Sequence, residues 1–121
     1  MDQRKNLSFT SRRRSLSHAL NGLAILFRQE PNAKLHAAAT LTVIILGIVR
    51  HISPMQWIAL VFAIGIVWIT EAINTCIERL CDFSCDNKYH PTIKIIKDIA
   101  AGSVLVASIV SIAVGVIVFI F

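Results

Sequence analysis

Asn74, Thr75, Glu78 and Asp82 stand three, four, seven and eleven residues after Glu71, in a stretch with few other polar side chains. At about 100° per residue on a helix, all five fall within roughly a quarter-turn of one another. Residues 52–70, immediately before them, form an uncharged apolar run long enough to cross a bilayer as a helix. Carboxylates at or near membrane depth are costly unless a cation, a partner charge or a water-filled cleft stabilises them, which makes such residues functional candidates. Three acids on one face with an amide between them suit a hard cation held by oxygen ligands, of which Mg²⁺ is the commonest.

The elements that must position this stripe follow from the apolar pattern. Residues 1–14 are polar, with Arg4, Lys5, Arg12, Arg13 and Arg14, and read as a disordered or interfacial arm that lacks the apolar core of a cleavable signal peptide. Over residues 15–29, Leu16, Leu20, Leu23 and Phe27 recur at helical spacing, opposite Ser17, His18, Asn21 and Arg28. That pattern fits a helix lying in the membrane surface, or one packed on the side of a bundle. Glu30-Pro31 interrupts it, since proline disfavours helical geometry at the residue before it.

A first membrane helix is expected over about residues 32–49, with Lys34 snorkelling or its first turn in the interface. A second runs over about residues 54–82, its cytoplasmic extension carrying the stripe and Pro54 suiting its first turn. A hydrophilic turn covers residues 83–92, and a third helix spans about residues 93–121, uncharged from residue 99 onwards. Small residues there, such as Ala100, Gly102 and Ala107, permit close helix approach in lipid. The expected fold is therefore all-α and integral to the membrane: one domain over residues 15–121, with three transmembrane helices preceded by an amphipathic surface helix.

Composition agrees with this class. At 121 residues, 55% hydrophobic and 16% charged, the chain is too apolar for an ordinary small soluble fold. Its net charge of +5 sits in flanks beside apolar runs rather than interleaved with aromatics, which argues against nucleic acid as a partner. Lysines and arginines are dense before the first span and between the second and third, whereas Arg50 alone lies between the first and second. The positive-inside tendency then puts the N-terminus and the stripe in the cytoplasm. Cys76, Cys81 and Cys85 lack the C-x-x-C spacing of zinc or redox sites and read as small packing residues. His36 and His51 read as interfacial polar residues, and Trp57 and Trp68 as belt aromatics near the two ends of the second span.

No glycine-rich phosphate loop or soluble-kinase catalytic loop is present. A nucleotide would have to be held by carboxylate-bound metal and basic side chains. Those parts exist in Glu30, Glu71, Glu78, Asp82 and Asp98 and in Arg12, Arg13, Arg14, Lys94 and Lys97. Phosphoryl transfer requires little beyond alignment, charge neutralisation and a base for the attacking hydroxyl.

The stripe resembles the signature of the small trimeric integral-membrane lipid kinases of prokaryotes, the diacylglycerol and undecaprenol kinases: E-x-hydrophobic-N-S/T-small-hydrophobic-E-x-x-V-D. Glu71, Asn74, Thr75, Glu78 and Asp82 match it, with Cys76 and Cys81 where alanine and valine are commoner. The likeness extends to Asn21-Gly22-Leu23, to residues 30–36 and the alanines after them, to His90-Pro91, and to residues 97–105.

What the resemblance implies is an ATP-dependent kinase of a lipid alcohol in the bacterial inner membrane, multi-pass, with its N-terminus and active site cytoplasmic. It implies Glu71 as general base, Glu30 and Glu78 as ligands of Mg²⁺, and Asn74 and Asp82 as supporting residues. Lys88, Tyr89, His90, Lys97 and Asp98 would contact the nucleotide, as would His18, which stands where some members carry an aromatic residue. One of Arg12, Arg13 and Arg14 would touch substrate or nucleotide. The segments around Glu30, His36 and His90-Pro91 look more like the undecaprenol branch than the diacylglycerol branch. The family precedent is a homotrimer, and three short spans alone cannot surround the stripe and cover a nucleotide.

Rival readings are concrete. Glu71 and Glu78 could be structural acids paired with Arg79 or Lys97, Asn74 an interhelical hydrogen-bonding amide, and Lys97 and Asp98 interfacial anchors. A non-catalytic cation-binding membrane protein is the alternative of a different class.

Overall fold

A computed structural model describes residues 8–121. Residues 1–7, the first half of the expected arm, lie outside the described residues. Four helices account for nearly all the rest: α1 (Phe9–Gln29), α2 (Pro31–Val49), α3 (Pro54–Ser84) and α4 (Pro91–Ile120). No strand occurs among the described residues.

Each boundary has a local cause. α1 begins at Phe9, well before the expected residue 15, because the Ser8 hydroxyl accepts the backbone N–H of Ser11 and the arginines that follow are good helix formers. Residues 12–14 are thus helical rather than an irregular arm. Glu30 takes an extended conformation (φ −103°, ψ 116°) before Pro31, which ends α1 and starts α2 in a single residue. Ser53 and Gln56 form a reciprocal capping box at the start of α3, with Pro54 in the first turn. α3 closes into left-handed Asp86 and Asn87 (φ 51° and 59°), residue types that tolerate this region. At the start of α4, His90 Nδ1 accepts the N–H of Thr92, so this helix begins at Pro91 rather than residue 93.

Three of the helices are long and apolar enough to cross a membrane. α2, α3 and α4 alternate in direction. Lys97 of α4 meets Asp82 near the end of α3, while Gln56 at its start donates to the carbonyl of Val118. α3 and α4 share the broadest interface, where Ala63, Val67, Ala100 and Ala107 are buried. Small side chains at these positions let the backbones approach, as packing in lipid requires. α2 leans on α3 through Gly47, whose missing Cβ leaves room for the Trp57 ring. The Trp57 indole is thus a packing group between α2 and α3.

α1 contacts the bundle mainly at Leu26, while Leu16, Leu20, Leu23 and Phe27 stay exposed. Its apolar stripe is left for a membrane surface to cover. Of the cysteines, Cys81 is buried as a packing residue should be, whereas Cys76 is exposed. α3 is 31 residues long, about 46 Å, and exceeds the hydrocarbon core by several turns. Glu71 lies about 26 Å along α3 from its first residue, with Glu78 and Asp82 further towards its end.

Candidate functional site

The start of α2, the end of α3 and the start of α4 lie together at one end of the bundle, and the polar stripe is there. Its first three members are turned inward: Glu71 is 1% exposed, Thr75 6% and Asn74 7%. Glu78 and Asp82, further along, are half-buried. The face chosen follows from lipid, since the opposite side of α3 carries Ile66, Ile69, Ile73 and Leu80 in exposed positions. A helix with one polar stripe buries that stripe and offers its apolar faces to acyl chains.

Glu71 Oε2 lies 3.2 Å from Nε2 of His36 on α2. Asn74 Nδ2 donates to Glu78 Oε1 at 3.4 Å, one turn along the same helix. Asn74 Oδ1 and Thr75 Oγ1 are buried without a hydrogen-bond partner among the described residues. Orphaned buried acceptors of this kind are rare in folded proteins and call for an explanation such as a bound ligand or ion.

Lys97 Nζ donates to Asp82 Oδ1 at 2.5 Å and joins α4 to α3. Arg79 donates to Gln29 Oε1, tying the residue before Glu30 to the residue after Glu78. The turn of α3 that carries Glu78 is thereby held beside the α1–α2 junction. Glu30 itself is half-buried there, and its carboxylate makes no capping bond to α2.

Among the described residues, neither Glu71 nor Glu78 forms an ion pair with a lysine or arginine. The rival reading of these acids as partners of Arg79 or Lys97 therefore loses its geometry, because both cations are engaged elsewhere. Other expected site residues are not drawn together. Asp98 pairs with Lys94 on its own helix at 2.6 Å, both exposed, and does not join Asp82–Lys97. Lys88, Tyr89 and His90 are exposed in the α3–α4 turn, with the His90 ring occupied in capping α4. His18, Arg12, Arg13 and Arg14 are exposed on α1. Among the described residues, no three His, Cys, Asp or Glu side chains converge into a metal cluster within the single chain.

Two residues have roles that their sequence positions do not announce. His36 reaches the buried carboxylate from 35 positions away. Trp68 donates its indole N–H to Thr40 Oγ1 at 3.0 Å and packs against the His36 ring, so it is a packing residue of the site. Between α1 and α3 runs a mostly apolar groove of about 340 Å³, lined by Gly22, Leu23, Leu26, Ala72, Thr75 and Arg79 among others.

A buried carboxylate, orphaned oxygen acceptors and basic side chains thus lie together at one end of the bundle. The family profile described as prokaryotic diacylglycerol kinase matches residues 17–119 of this chain. The chain belongs to that family. It is similar to an undecaprenol kinase of Bacillus subtilis (strain 168), with 37% identity over 106 residues, 88% of this chain and 85% of the relative. It is also similar to a diacylglycerol kinase of Synechocystis sp. (strain PCC 6803), with 32% identity over 101 residues. That match takes in 84% of this chain but 58% of the longer relative. As a family member the protein is a multi-pass membrane lipid kinase that uses ATP.

Proposed function

We propose that this kinase phosphorylates undecaprenol, giving undecaprenyl phosphate, and that residues 15–121 act as a single catalytic domain. The observation that carries the site assignment is the burial of Glu71 beside two unpartnered oxygen acceptors at the polar end of the bundle. In this reading the lipid hydroxyl approaches along the groove between α1 and α3 and gives its proton to the Glu71 carboxylate. The hydroxyl oxygen then forms a bond to the γ-phosphorus as the bond to the β–γ bridging oxygen breaks, and ADP leaves. Glu71 is suited to this task because its burial excludes bulk water and because it is not neutralised by a fixed cation.

The donors present fit Mg²⁺. Glu30, Glu78 and the orphaned Asn74 Oδ1 are all hard oxygen ligands, and Mg²⁺ needs only one or two carboxylates when phosphate oxygens and water complete its shell. Glu30 and Glu78 would hold the ion, with Asn74 orienting Glu78. When bound, it neutralises charge on the phosphoryl oxygens. Lys97, with Asp82 aiming its ammonium, and one of Arg12, Arg13 and Arg14 supply positive charge to the nucleotide. Lys88, Tyr89, His90, His18 and Asp98 complete the nucleotide set, all five after side-chain movement or contact with another protomer.

A homotrimer is our reading of the assembly, because one chain leaves the stripe partly unpartnered among the described residues. The cytoplasmic side of the bacterial inner membrane is our reading of the location, from the distribution of lysine and arginine. Undecaprenol is favoured over diacylglycerol because the undecaprenol kinase relative is matched over most of its length.

The deciding experiment supplies purified protein with labelled ATP and Mg²⁺, and with undecaprenol or diacylglycerol in separate mixed micelles. Undecaprenol should give the higher kcat/KM. A preference for diacylglycerol overturns the lipid assignment, and no labelled lipid from either overturns the kinase site.

A further inference from the structure

Glu71 has one hydrogen-bond partner among the described residues, and it is not a backbone group or a water-exposed side chain. It is His36, whose own side chain is 16% exposed. In the ionised form that a general base requires, the carboxylate accepts but cannot donate, so in this reading Nε2–H of His36 donates. The imidazole is held in turn. Its ring meets the Trp68 ring edge-on, with centroids 6.2 Å apart, and the Trp68 indole is pinned by Thr40 Oγ1 at 3.0 Å. His36 and Thr40 are four residues apart on α2, and Trp68 and Glu71 three apart on α3, so each pair presents one face of its helix to the other. Among the described residues these two are the side-chain hydrogen bonds that join α2 to α3.

The imidazole also borders a cavity of about 180 Å³, whose lining includes Leu60, Ala63, Val67 and Ser108. Space there means that packing alone does not fix the ring or the carboxylate that it holds. The bond to Glu71 and the edge contact with Trp68 do so.

We propose that His36 is a positioning residue for the catalytic base: its Nε2–H fixes Glu71 Oε2, leaving the other carboxylate oxygen aimed at the incoming lipid hydroxyl. This rests on Glu71 being the base, as proposed above. Alignment of base and hydroxyl matters only in the chemical step, so loss of the bond should appear in kcat and leave nucleotide binding alone. Glutamine places an amide N–H about as far from its Cα as imidazole Nε2 does. Asparagine is one methylene shorter and cannot reach.

The test measures kcat, KM for ATP and the detergent melting temperature for full-length wild type, His36→Gln, His36→Asn, His36→Ala and Glu71→Gln. His36→Asn and His36→Ala should lower kcat about 10- to 100-fold, with KM for ATP within about two-fold of wild type. His36→Gln should recover to within about five-fold. The melting temperatures of the Gln and Asn variants should be alike, which separates positioning from a merely structural role. Equal kcat for the Gln and Asn variants overturns the proposal even if His36→Ala does not fold, as does a loss confined to KM for ATP. If Glu71→Gln keeps the wild-type rate, the base assignment falls and the proposal with it. If Glu71→Gln is inactive while His36→Asn is normal, only the role of His36 falls.

Discussion

Replacing Glu71 by glutamine separates chemistry from architecture, because the two are expected to respond with opposite signs. The substitution keeps side-chain length and shape, and the glutamine carbonyl can accept the same His36 Nε2–H that the carboxylate accepts at 3.2 Å. What disappears is the ability to take a proton from the lipid hydroxyl. General base catalysis contributes about 10²- to 10⁴-fold, or roughly 3–5 kcal/mol of barrier, so the turnover number should fall by at least about 100-fold. The fold should not suffer. At 1% exposure Glu71 has lost its hydration and has one protein hydrogen bond in exchange, whereas a neutral amide costs less to desolvate. Its new N–H groups sit one turn from the unpartnered acceptors on Asn74 and Thr75. Stability should therefore equal that of wild type or exceed it, by up to about 2 kcal/mol. The assay is lipid phosphorylation from labelled ATP in mixed micelles, read beside a detergent melting curve on the same preparation. A variant that retains more than about a tenth of the wild-type rate refutes the base assignment. A variant that is inactive because it melts well below wild type refutes the energetic reasoning, since the carboxylate would then be holding the bundle together.

Gly47→Ala should destabilise without touching chemistry. A Cβ there would lie 2.6 Å from Trp57 Cη2 and 2.9 Å from Cζ2, against a rigid ring, and overpacking of this kind costs about 1–3 kcal/mol. The melting temperature should drop and partly recover in Gly47→Ala/Trp57→Phe, with kcat per folded molecule unchanged throughout. Gly22→Ala should do the reverse. Nothing lies within 4 Å of the added Cβ, so α1 gains about 0.5–1 kcal/mol of helix propensity, but the methyl projects towards the α1–α3 groove. KM for the lipid should rise while KM for ATP stays constant, as steady-state kinetics in micelles can measure. For Asp82 and Lys97, a double-mutant cycle on thermal stability should give little coupling, because the side chains are 43% and 36% exposed and the pair is screened by solvent. Lys97→Ala should nonetheless raise KM for ATP.

Features set by periodicity and run length were legible in the sequence. The three spans follow from apolar runs, and Pro54 marks the first turn of α3 as expected. The inward turn of Glu71, Asn74 and Thr75 follows from spacing alone, since lipid leaves a polar stripe nowhere else to go. Features that depend on two distant segments meeting were not legible. A single histidine near the start of α2 carries no mark of the carboxylate it will touch, and Arg79 looks like a partner for neighbouring acids until the α1–α2 junction brings Gln29 to it. The start of α1 is hidden in the sequence for a different reason. Residues 9–14 have too few apolar side chains to show a helical period, yet a serine cap and arginines with good helix propensity suffice to extend the helix through them.

The polar end of the bundle is unfinished in a way that bears on assembly. A buried acceptor left unpaired costs free energy, and Asn74 Oδ1 and Thr75 Oγ1 are two such acceptors on one face of one helix. Glu71 adds a carboxylate with a single partner, and Glu30 stands beside the Glu78 turn with no capping bond of its own. Ordinary core packing would have replaced these groups with apolar side chains, because lipid on three sides offers no compensation. They are tolerable if their missing partners arrive from outside the chain, as substrate oxygens, an ion or a neighbouring protomer. The same groups that make the isolated chain less stable are then those that gain most on binding, and this difference between the free and loaded states is what a transfer site at a bilayer edge can use.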